Sequence, residues 1–164
     1  MISIRRNVFE TNSSSSHSLS ILTYQEPRND KIPRNAESYK VEELGGYDFE
    51  IYSEVEKLSF MLNVIATYIR NHTKFGVEET FEEMIKREPF VWLQEMVKEE
   101  TGTTIEFVDP EEKWHPYFET LDDECFTIEK VFECDWSNEQ EFKKYMKELI
   151  FDNNKGISYE EDEW

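Results

Sequence analysis

Apolar residues recur at helical spacing between residues 54 and 71, the clearest periodic segment of the chain. Intervals of three and four residues place such side chains on one stripe of a helix. Ser53 is followed three residues later by Glu56, the form of a capping box, in which each side chain accepts a backbone N–H of the first turn. The pattern predicts a helix over about 54–71, with an apolar stripe formed by Val55, Leu58, Met61, Leu62, Ile65, Tyr68 and Ile69.

Two further helical segments follow, and a proline separates them. The first starts near residue 77, with apolar positions at Val77, Phe81, Met84 and Ile85. Pro89 has no backbone N–H to donate, so this helix should stop or kink at Glu88. A second helix is predicted from there to about Glu100, ended by Thr101-Gly102.

A last helix is predicted over about 138–152. Ser137 and Gln140 repeat the capping-box spacing directly before it. Its apolar positions are Phe142, Tyr145, Met146, Leu149 and Ile150.

Alternating polar and apolar residues predict strands in the first third of the chain. The segment HSLSILTY, residues 17–24, has the period of a half-buried strand, and MISIRR, residues 1–6, is expected to pair with it. Further on, YKVEELGGYDFEIYS, residues 39–53, holds two short alternating runs around Gly45-Gly46. Because a Gly-Gly step supplies the positive φ angles of a tight turn, we expect a β-hairpin there.

The remaining segments predict a loop, two strands and a tail. Residues 25–38 contain two prolines and few apolar residues, which predicts an exposed loop. TTIEFVD, residues 103–109, and CFTIEKVFEC, residues 125–134, have the character of strands joined by an irregular segment. ISYEEDEW, residues 157–164, is either a frayed end or a strand that docks through Ile157, Tyr159 and Trp164.

Together these elements predict an α+β fold. The 164 residues suit one domain, 1–164, with a small antiparallel sheet, built from the N-terminal strands and a hairpin, packed against about four helices. Residues 1–52 are expected to be mostly β, 53–102 helical, and 103–164 mixed with an acidic tail. Strands and helices do not alternate regularly, so a parallel sheet is not required.

The charge of the chain changes which partners are expected. The net charge is −19, but residues 1–40 sum to +2, so the rest carries −21. A surface of that sign repels phosphate backbones, which disfavours general nucleic-acid binding and favours a basic protein surface or cations. The alternative is that the acidic residues only keep the protein soluble.

Cysteine spacing and hydropathy favour a cytoplasmic protein. Cys125 and Cys134 form a C-x8-C pair without metal-finger or redox-motif spacing, so free thiols are expected. No apolar run approaches the roughly 18 residues of a membrane span, and residues 1–10 lack the apolar core of a secretion signal. We therefore expect cytoplasmic localisation, in the host cytoplasm if the protein is phage-encoded, and no membrane partner.

The stretch RRNVFETNSSSSHSLSI, residues 5–21, is the strongest candidate for chemistry. Hydroxyls and two guanidinium groups suit a bound phosphate or carboxylate, although the stretch has no glycine and so differs from phosphate-binding loops. Two alternatives stay open: a serine nucleophile with His17 as base and Glu10 as orienting group, or a polar turn without a ligand. The candidate anion-site residues are Arg5, Arg6, Glu10, Thr11, Asn12, Ser13, Ser14, Ser15, Ser16 and His17.

No pattern indicates a structural metal or a cofactor. His17, His72 and His115 are far apart in sequence, and no zinc-binding spacing is present, so we expect no zinc; a loosely held divalent cation on the acidic face stays open. Cofactors and catalytic residues are unknown.

Aromatic residues are the third feature. Those in the irregular segment around Trp114 are candidates for docking a basic partner, whereas Phe90 and Trp92 are expected in the core.

The N-terminal stretch resembles a known family. Residues 5–21, with the form R-x-N-x-F-E-T-N-S-S-S-S-H-S, are similar to the signature of a family of uncharacterised proteins from Bacillus-like and clostridial bacteria and their phages. Residues 45–65, GGYDFEIYSEVEKLSFMLNVI, resemble the family's second recurring segment, although Tyr47-Asp48-Phe49 stands where the family has Gly-aromatic-Trp. The resemblance covers about the first 70 residues and implies an origin and a two-part N-terminal module, not a reaction.

Two hypotheses of function follow. The first is a small acidic phage-type accessory protein that binds and modulates a host protein with a basic surface, with nucleic-acid mimicry as one route. The second is an enzyme or sensor that binds a nucleotide or another phosphorylated ligand at the N-terminal Arg/Ser/His motif. Whether the protein catalyses a reaction stays open.

Overall fold

The computed structural model describes residues 4–6, 15–23, 30–42, 49–73, 79–109 and 132–163. The helices in these ranges are α1 Glu54–His72, α2 Phe81–Met84, α3 Glu88–Thr101 and α4 Glu139–Phe151. The strands are β1 Ile4–Arg6, β2 Ser15–Thr23, β3 Ser38–Val41, β4 Phe49–Ile51, β5 Thr104–Phe107 and β6 Lys155–Glu163. This composition confirms the predicted α+β class.

The main sheet is antiparallel and brings the two ends of the described chain together. Its order is β1-β2-β6-β4, so the C-terminal strand β6 lies between β2 and β4. The expected pairing of residues 1–6 with 17–24 is confirmed for the described part, where Ile4 lies opposite Thr23. The tail is a strand rather than a frayed end, and Ile157 is fully buried in it. Trp164 lies outside the described residues.

The predicted hairpin around Gly45-Gly46 is wrong. β3 pairs in parallel with β5, with Val41 opposite Phe107, and β4 pairs antiparallel with β6. The glycine pair lies outside the described residues, but the two strands that flank it belong to different sheets. Val41 and Ile105 are almost fully buried, so the small parallel sheet, like the main sheet, contributes side chains to the core. The parallel pair was not expected from the sequence.

The three long helices begin and end close to the predicted positions. The capping box at the start of α1 is confirmed, because Ser53 Oγ accepts the Glu56 N–H at 3.1 Å and the Glu56 carboxylate accepts the Ser53 N–H. α3 begins at Glu88 with Pro89 in its first turn, where a proline leaves no helical hydrogen bond unmade. It ends at Gly102, whose φ of 72° is the left-handed conformation that glycine adopts at low cost.

The second predicted helix is shorter than expected. α2 is one turn, opened by a capping box between Thr80 and Glu83, and residue 77 lies outside the described residues. The loop prediction for 25–38 holds for 30–37, which contain no helix or strand, although Ile32 is buried. Of the strand predicted over 125–134, residues 132–134 form a turn and the others lie outside the described residues.

The core is rich in aromatic side chains. Phe90, Phe132 and Phe142 are fully buried, and Trp136 is 2% exposed. The ring centroids of Trp136 and Phe142 lie 5.2 Å apart in an edge-to-face arrangement, a favourable geometry for aromatic pairs. The core prediction is confirmed for Phe90, while Trp92 is half-buried and packs against Phe142.

The N-cap of α4 differs from the prediction by one residue. Asn138 Oδ1 accepts the N–H groups of Gln140 and Glu141, at 3.1 and 3.2 Å. Ser137 instead donates its hydroxyl to Asp135 Oδ1 in the preceding turn. The predicted Ser137–Gln140 capping box is therefore wrong, because Ser137 is engaged before the helix begins.

We expect Asn138→Ala to lower the free energy of unfolding by about 1 kcal/mol, since it leaves two helical N–H groups without their acceptor. Ser137→Ala is the matched control and should cost less, because it removes only an exposed hydrogen bond. Urea unfolding of both variants measures the difference. A larger loss for Ser137→Ala would contradict the assignment of the cap.

Candidate functional site

The structure describes half of the candidate anion-site residues. Arg5 and Arg6 lie in β1, and Ser15, Ser16 and His17 open β2. The other five candidates, Glu10, Thr11, Asn12, Ser13 and Ser14, lie outside the described residues. The sheet thus contains both the basic and the hydroxyl-bearing parts of the motif.

These two parts lie at different ends of β2. Arg5 is opposite Leu22 and Arg6 is opposite Ile21. His17, the nearest of the candidate residues described in β2, is four positions away from Ile21 along the strand. At about 3.3 Å per residue the separation is roughly 13 Å, so the register does not bring the guanidinium residues beside Ser15–His17.

The residues opposite the serines are acidic. The register pairs Ser15 with Glu163, Ser16 with Asp162, His17 with Glu161 and Ser18 with Glu160. We call residues 15–18 of β2 and 160–163 of β6 the acidic ribbon. Directly opposed residues of antiparallel strands share a face of the sheet, and successive pairs lie on opposite faces. Each face of the ribbon therefore carries acidic positions directly opposite serine or histidine positions. This composition suits a cation or a basic group better than a phosphate.

The acidic ribbon extends past the neighbouring strands. β1 pairs with β2 only at residues 21–23, and β4 pairs with β6 only at 157–159. Within the described residues, neither outer edge of the ribbon has a strand beside it. Four consecutive acids therefore lie in a two-stranded extension of the sheet.

The spacing of these acids has a physical counterpart. An extended strand rises about 3.3–3.4 Å per residue, and one strand of DNA carries one negative charge per about 3.4 Å of helix axis. Residues 160–163 thus have the axial charge spacing of a polynucleotide strand, although successive residues alternate between the two faces of the sheet.

Sequence reasoning did not find this ribbon. It identified the serine motif and the acidic tail separately, and it considered the tail as a strand through Ile157 and Tyr159. The available signal was the apolar alternation shared by residues 17–21 and 157–159. Such alternation predicts a strand but does not say which strand it pairs with.

A second polar cluster is buried at the start of α1. Lys57 is fully buried, and its Nζ donates to the backbone carbonyls of Asp152 and Lys155 at 3.0 and 3.1 Å. Burial lowers the pKa of Lys57 to about 8, against the opposing effect of the Asp152 and Glu54 carboxylates. The amine holds the turn between α4 and β6 against α1, which is a structural task.

Glu54 is the acidic member of this cluster. It is 3% exposed and accepts the Ile32 N–H at 3.0 Å. Arg34 donates to both Glu54 carboxylate oxygens at 2.9 and 3.0 Å, and its guanidinium lies 5.6 Å from the centroid of the Phe151 ring. A buried carboxylate is tolerated only when paired and hydrogen-bonded in this way. The pair fixes the 30–37 segment to the helices.

A shallow groove of about 260 Å³ lies beside Cys134. It is lined by Glu133, Cys134, Glu141, Lys144, Tyr145 and Glu148. Burial raises the pKa of the Tyr145 hydroxyl well above its ordinary value. No group of three or more His, Cys, Asp or Glu side chains in the described ranges is arranged to hold a metal ion. The partner cysteine, Cys125, lies outside these ranges.

No family model, curated protein or solved structure matches the chain. The resemblance of residues 5–21 to the bacterial and phage family stays a prediction. Among the helices described above, none combines the length and the apolar character needed to cross a membrane.

Proposed function

We propose that the protein is a small acidic accessory protein of phage type that binds a basic surface of a host protein, with the acidic ribbon as its contact element. The observation that supports this most directly is the β2–β6 register, which sets four consecutive acids against the serine motif. The phage origin rests on the resemblance of residues 5–21 alone.

The mechanism is electrostatic steering followed by occlusion. A net charge of −19 attracts a basic surface over a distance limited by the Debye length, about 8 Å at physiological ionic strength. On contact, the carboxylates of the acidic ribbon replace the phosphates that a nucleic-acid-binding surface would otherwise meet. The serine hydroxyls of residues 15–18 are acceptors for the N–H groups of lysine and arginine side chains. Affinity should therefore fall steeply as salt is added.

We expect the combined substitution Glu160→Gln, Glu161→Gln, Asp162→Asn and Glu163→Gln to weaken binding of a synthetic Lys/Arg-rich peptide about tenfold, if each carboxylate forms an ion pair with the peptide worth about 0.2–1 kcal/mol. Fluorescence anisotropy at several salt concentrations measures the affinity. The slope of affinity against salt should become shallower in the variant.

The matched control neutralises four exposed acids elsewhere, by Glu82→Gln, Glu99→Gln, Glu106→Gln and Glu141→Gln. It changes the net charge equally but leaves the acidic ribbon intact. Equal weakening by both variants would mean that total charge, and not the ribbon, determines binding. Far-ultraviolet circular dichroism and urea unfolding check that both variants fold.

The second hypothesis, a nucleotide or phosphate site at the N-terminal motif, receives less support from the described residues. The register separates Arg6 from His17 and sets acids beside the serines, which opposes an anion electrostatically. This hypothesis requires Arg6→Ala and Ser14→Ala to abolish stabilisation by nucleotides while leaving peptide binding intact. The first hypothesis requires neutralisation of the acidic ribbon to weaken peptide binding while Arg6→Ala and Ser14→Ala leave it intact.

A further inference from the structure

A cavity of about 380 Å³ lies between the last turn of α1 and the start of α3. Tyr68, Ile69 and His72 of α1 form one side, and Lys86 to Pro89 form another. Trp136 and Ser137, in the turn before α4, complete the wall. This volume is within the range of small-molecule sites, about 300–1,000 Å³. The cavity is built from elements separate from the acidic ribbon.

The cavity contains basic groups in a protein whose net charge is −19. Lys86 and Arg87 lie next to each other in its lining, directly before α3. Lys86 is exposed and has no ion pair within the described residues. Glu88 is the acidic residue of the lining, and it is exposed at the first position of the helix. The positive end of the α3 dipole adds to the two cations.

The Arg87 guanidinium group has more N–H donors than its protein contacts in the described residues use. Its Nη1 donates to Thr73 Oγ1 at 2.8 Å and to Glu79 Oε2 at 3.1 Å, and these contacts fix the guanidinium beside the cavity. Within the described part of the chain, Nη2 and Nε have no acceptor. An oxyanion is the partner that a guanidinium fork binds in two-point fashion.

The start of α3 also lacks a side-chain cap. Arg87 occupies the N-cap position and makes no capping hydrogen bond there, whereas Ser53, Thr80 and Asn138 cap the other three described helices. First-turn N–H groups of a helix need acceptors, and an anion supplies them.

An independent observation comes from Trp136. The side chain is 2% exposed, and its indole Nε1 is buried with no hydrogen-bond acceptor among the described residues. Buried donors without an acceptor are rare in folded proteins, and each needs an explanation. Trp136 forms part of the cavity wall, so its indole resonance reports on a ligand that binds there, although Nε1 itself is not exposed to the cavity.

Part of the cavity wall is aromatic. The Tyr68 ring lies 4.7 Å from Trp136 and 4.2 Å from His72, measured between centroids. His72 Nδ1 donates to the Tyr68 carbonyl at 2.8 Å, so in the neutral ring Nε2 is the acceptor nitrogen. The lining therefore combines aromatic side chains with cations, and the probes include aromatic molecules with one acidic group.

We propose that this cavity binds the oxyanion of a small ligand, a phosphoryl or carboxylate group, through Arg87, Lys86 and the N-terminus of α3. The site goes beyond the proposed binding of a basic partner and uses none of the same residues. Phosphoryl and carboxylate ligands share the chemistry and are distinguished by the probes.

The test is a titration of the full chain with inorganic phosphate, adenosine monophosphate and benzoate, followed by two-dimensional ¹H–¹⁵N NMR. The Trp136→Phe variant assigns the indole resonance of Trp136. We expect that resonance and the amides of the first α3 turn to shift with at least one probe. Shifts with both inorganic phosphate and adenosine monophosphate would identify a phosphoryl ligand. Shifts with benzoate alone would identify a carboxylate ligand.

Substitutions locate the site. Arg87→Ala should weaken binding about tenfold or more, because it removes charge-assisted hydrogen bonds, and Arg87→Lys should have an intermediate effect. Lys86→Ala should weaken binding more than Lys98→Ala, a matched exposed lysine at the other end of α3. Urea unfolding verifies that each variant is folded.

Three outcomes would overturn the site. The first is no shift of the Trp136 indole with any probe. The second is equal weakening by Lys86→Ala and Lys98→Ala, which would indicate unspecific attraction. The third is loss of binding in Arg6→Ala but not in Arg87→Ala, which would place the ligand at the N-terminal motif instead.

Discussion

The free energy of unfolding of the wild type is expected to rise by about 3 kcal/mol between pH 8 and pH 10.5, and the substitution Lys57→Met is expected to abolish this rise. The side chain is fully buried, so its charged form is disfavoured in the folded protein and its pKa is lowered from 10.5 to about 8. The unfolded chain retains the ordinary value.

The direction of the effect follows from proton counting. Between pH 8 and pH 10.5 the unfolded chain binds a proton at Lys57 and the folded protein does not, so stability increases with pH in this window. Below pH 8 both states are protonated, and the cost of burying the cation is paid in full. The neutral amine keeps two N–H groups, enough for the carbonyls of Asp152 and Lys155.

Urea unfolding of the wild type and of Lys57→Met at several pH values measures this effect. Taking the difference between the two proteins removes contributions common to both, including that of Tyr145. Burial raises the pKa of Tyr145, so that group opposes stability at high pH. Lys98→Met, at an exposed position, is the control and should retain the full rise. A rise that persists in Lys57→Met would show that the amine is not the group responsible.

Gly156→Val is expected to lower the free energy of unfolding by about 3 kcal/mol or more, the upper part of the range for overpacked interiors. Gly156 lies in β6, one of the two inner strands of the main sheet, opposite Leu22. A Cβ atom there would be 2.3 Å from ring carbons of Tyr52 and 2.9 Å from the carbonyl oxygen of Ile51. Tyr52 is 5% exposed and the carbonyl is backbone, so neither can move away without disturbing β4.

Ser158→Ala, two residues along the same strand, is the matched control. Its hydroxyl is buried with no hydrogen-bond partner among the described residues, so its removal should be close to neutral. Urea unfolding of both variants gives the comparison. A wild-type stability for Gly156→Val would contradict the close packing of β4 and β6 at this position.

The helices were predictable because their signals are local. The apolar stripe and the Ser53–Glu56 box of α1 lie within the helix or next to it, and Pro89 and Gly102 mark the ends of α3 by their own backbone chemistry. The strands were found, but not all of their partners. Alternation around β3 and β4 predicts extended chain, whereas pairing depends on residues far away in sequence, and proximity to Gly45-Gly46 favoured the wrong partner.

The candidate sites show the same contrast between local features, which the sequence reveals, and contacts between distant residues, which it does not. The serine motif was recognisable as a local cluster, but its acidic neighbours come from the other end of the chain. The cavity beside Arg87 combines α1, the start of α3 and the turn at Trp136. Its residues form no sequence motif, because these elements are far apart in the sequence and come together only by packing in the fold. The burial of Lys57 was unpredictable for a related reason, because its place in α1 does not reveal that the backbone carbonyls of residues 152 and 155 accept hydrogen bonds from it.

The pairing of β2 with β6 also determines when the main sheet can form. Residues 15–23 have their longest partner in residues 155–163, so more than 130 further residues must be synthesised before that ladder can close. Closing so long a loop loses chain entropy before the strand contacts that compensate for it have formed, which is typical of slow folding steps. During synthesis the helices can form first, and β2 lacks its β6 partner until residues 155–163 have been made.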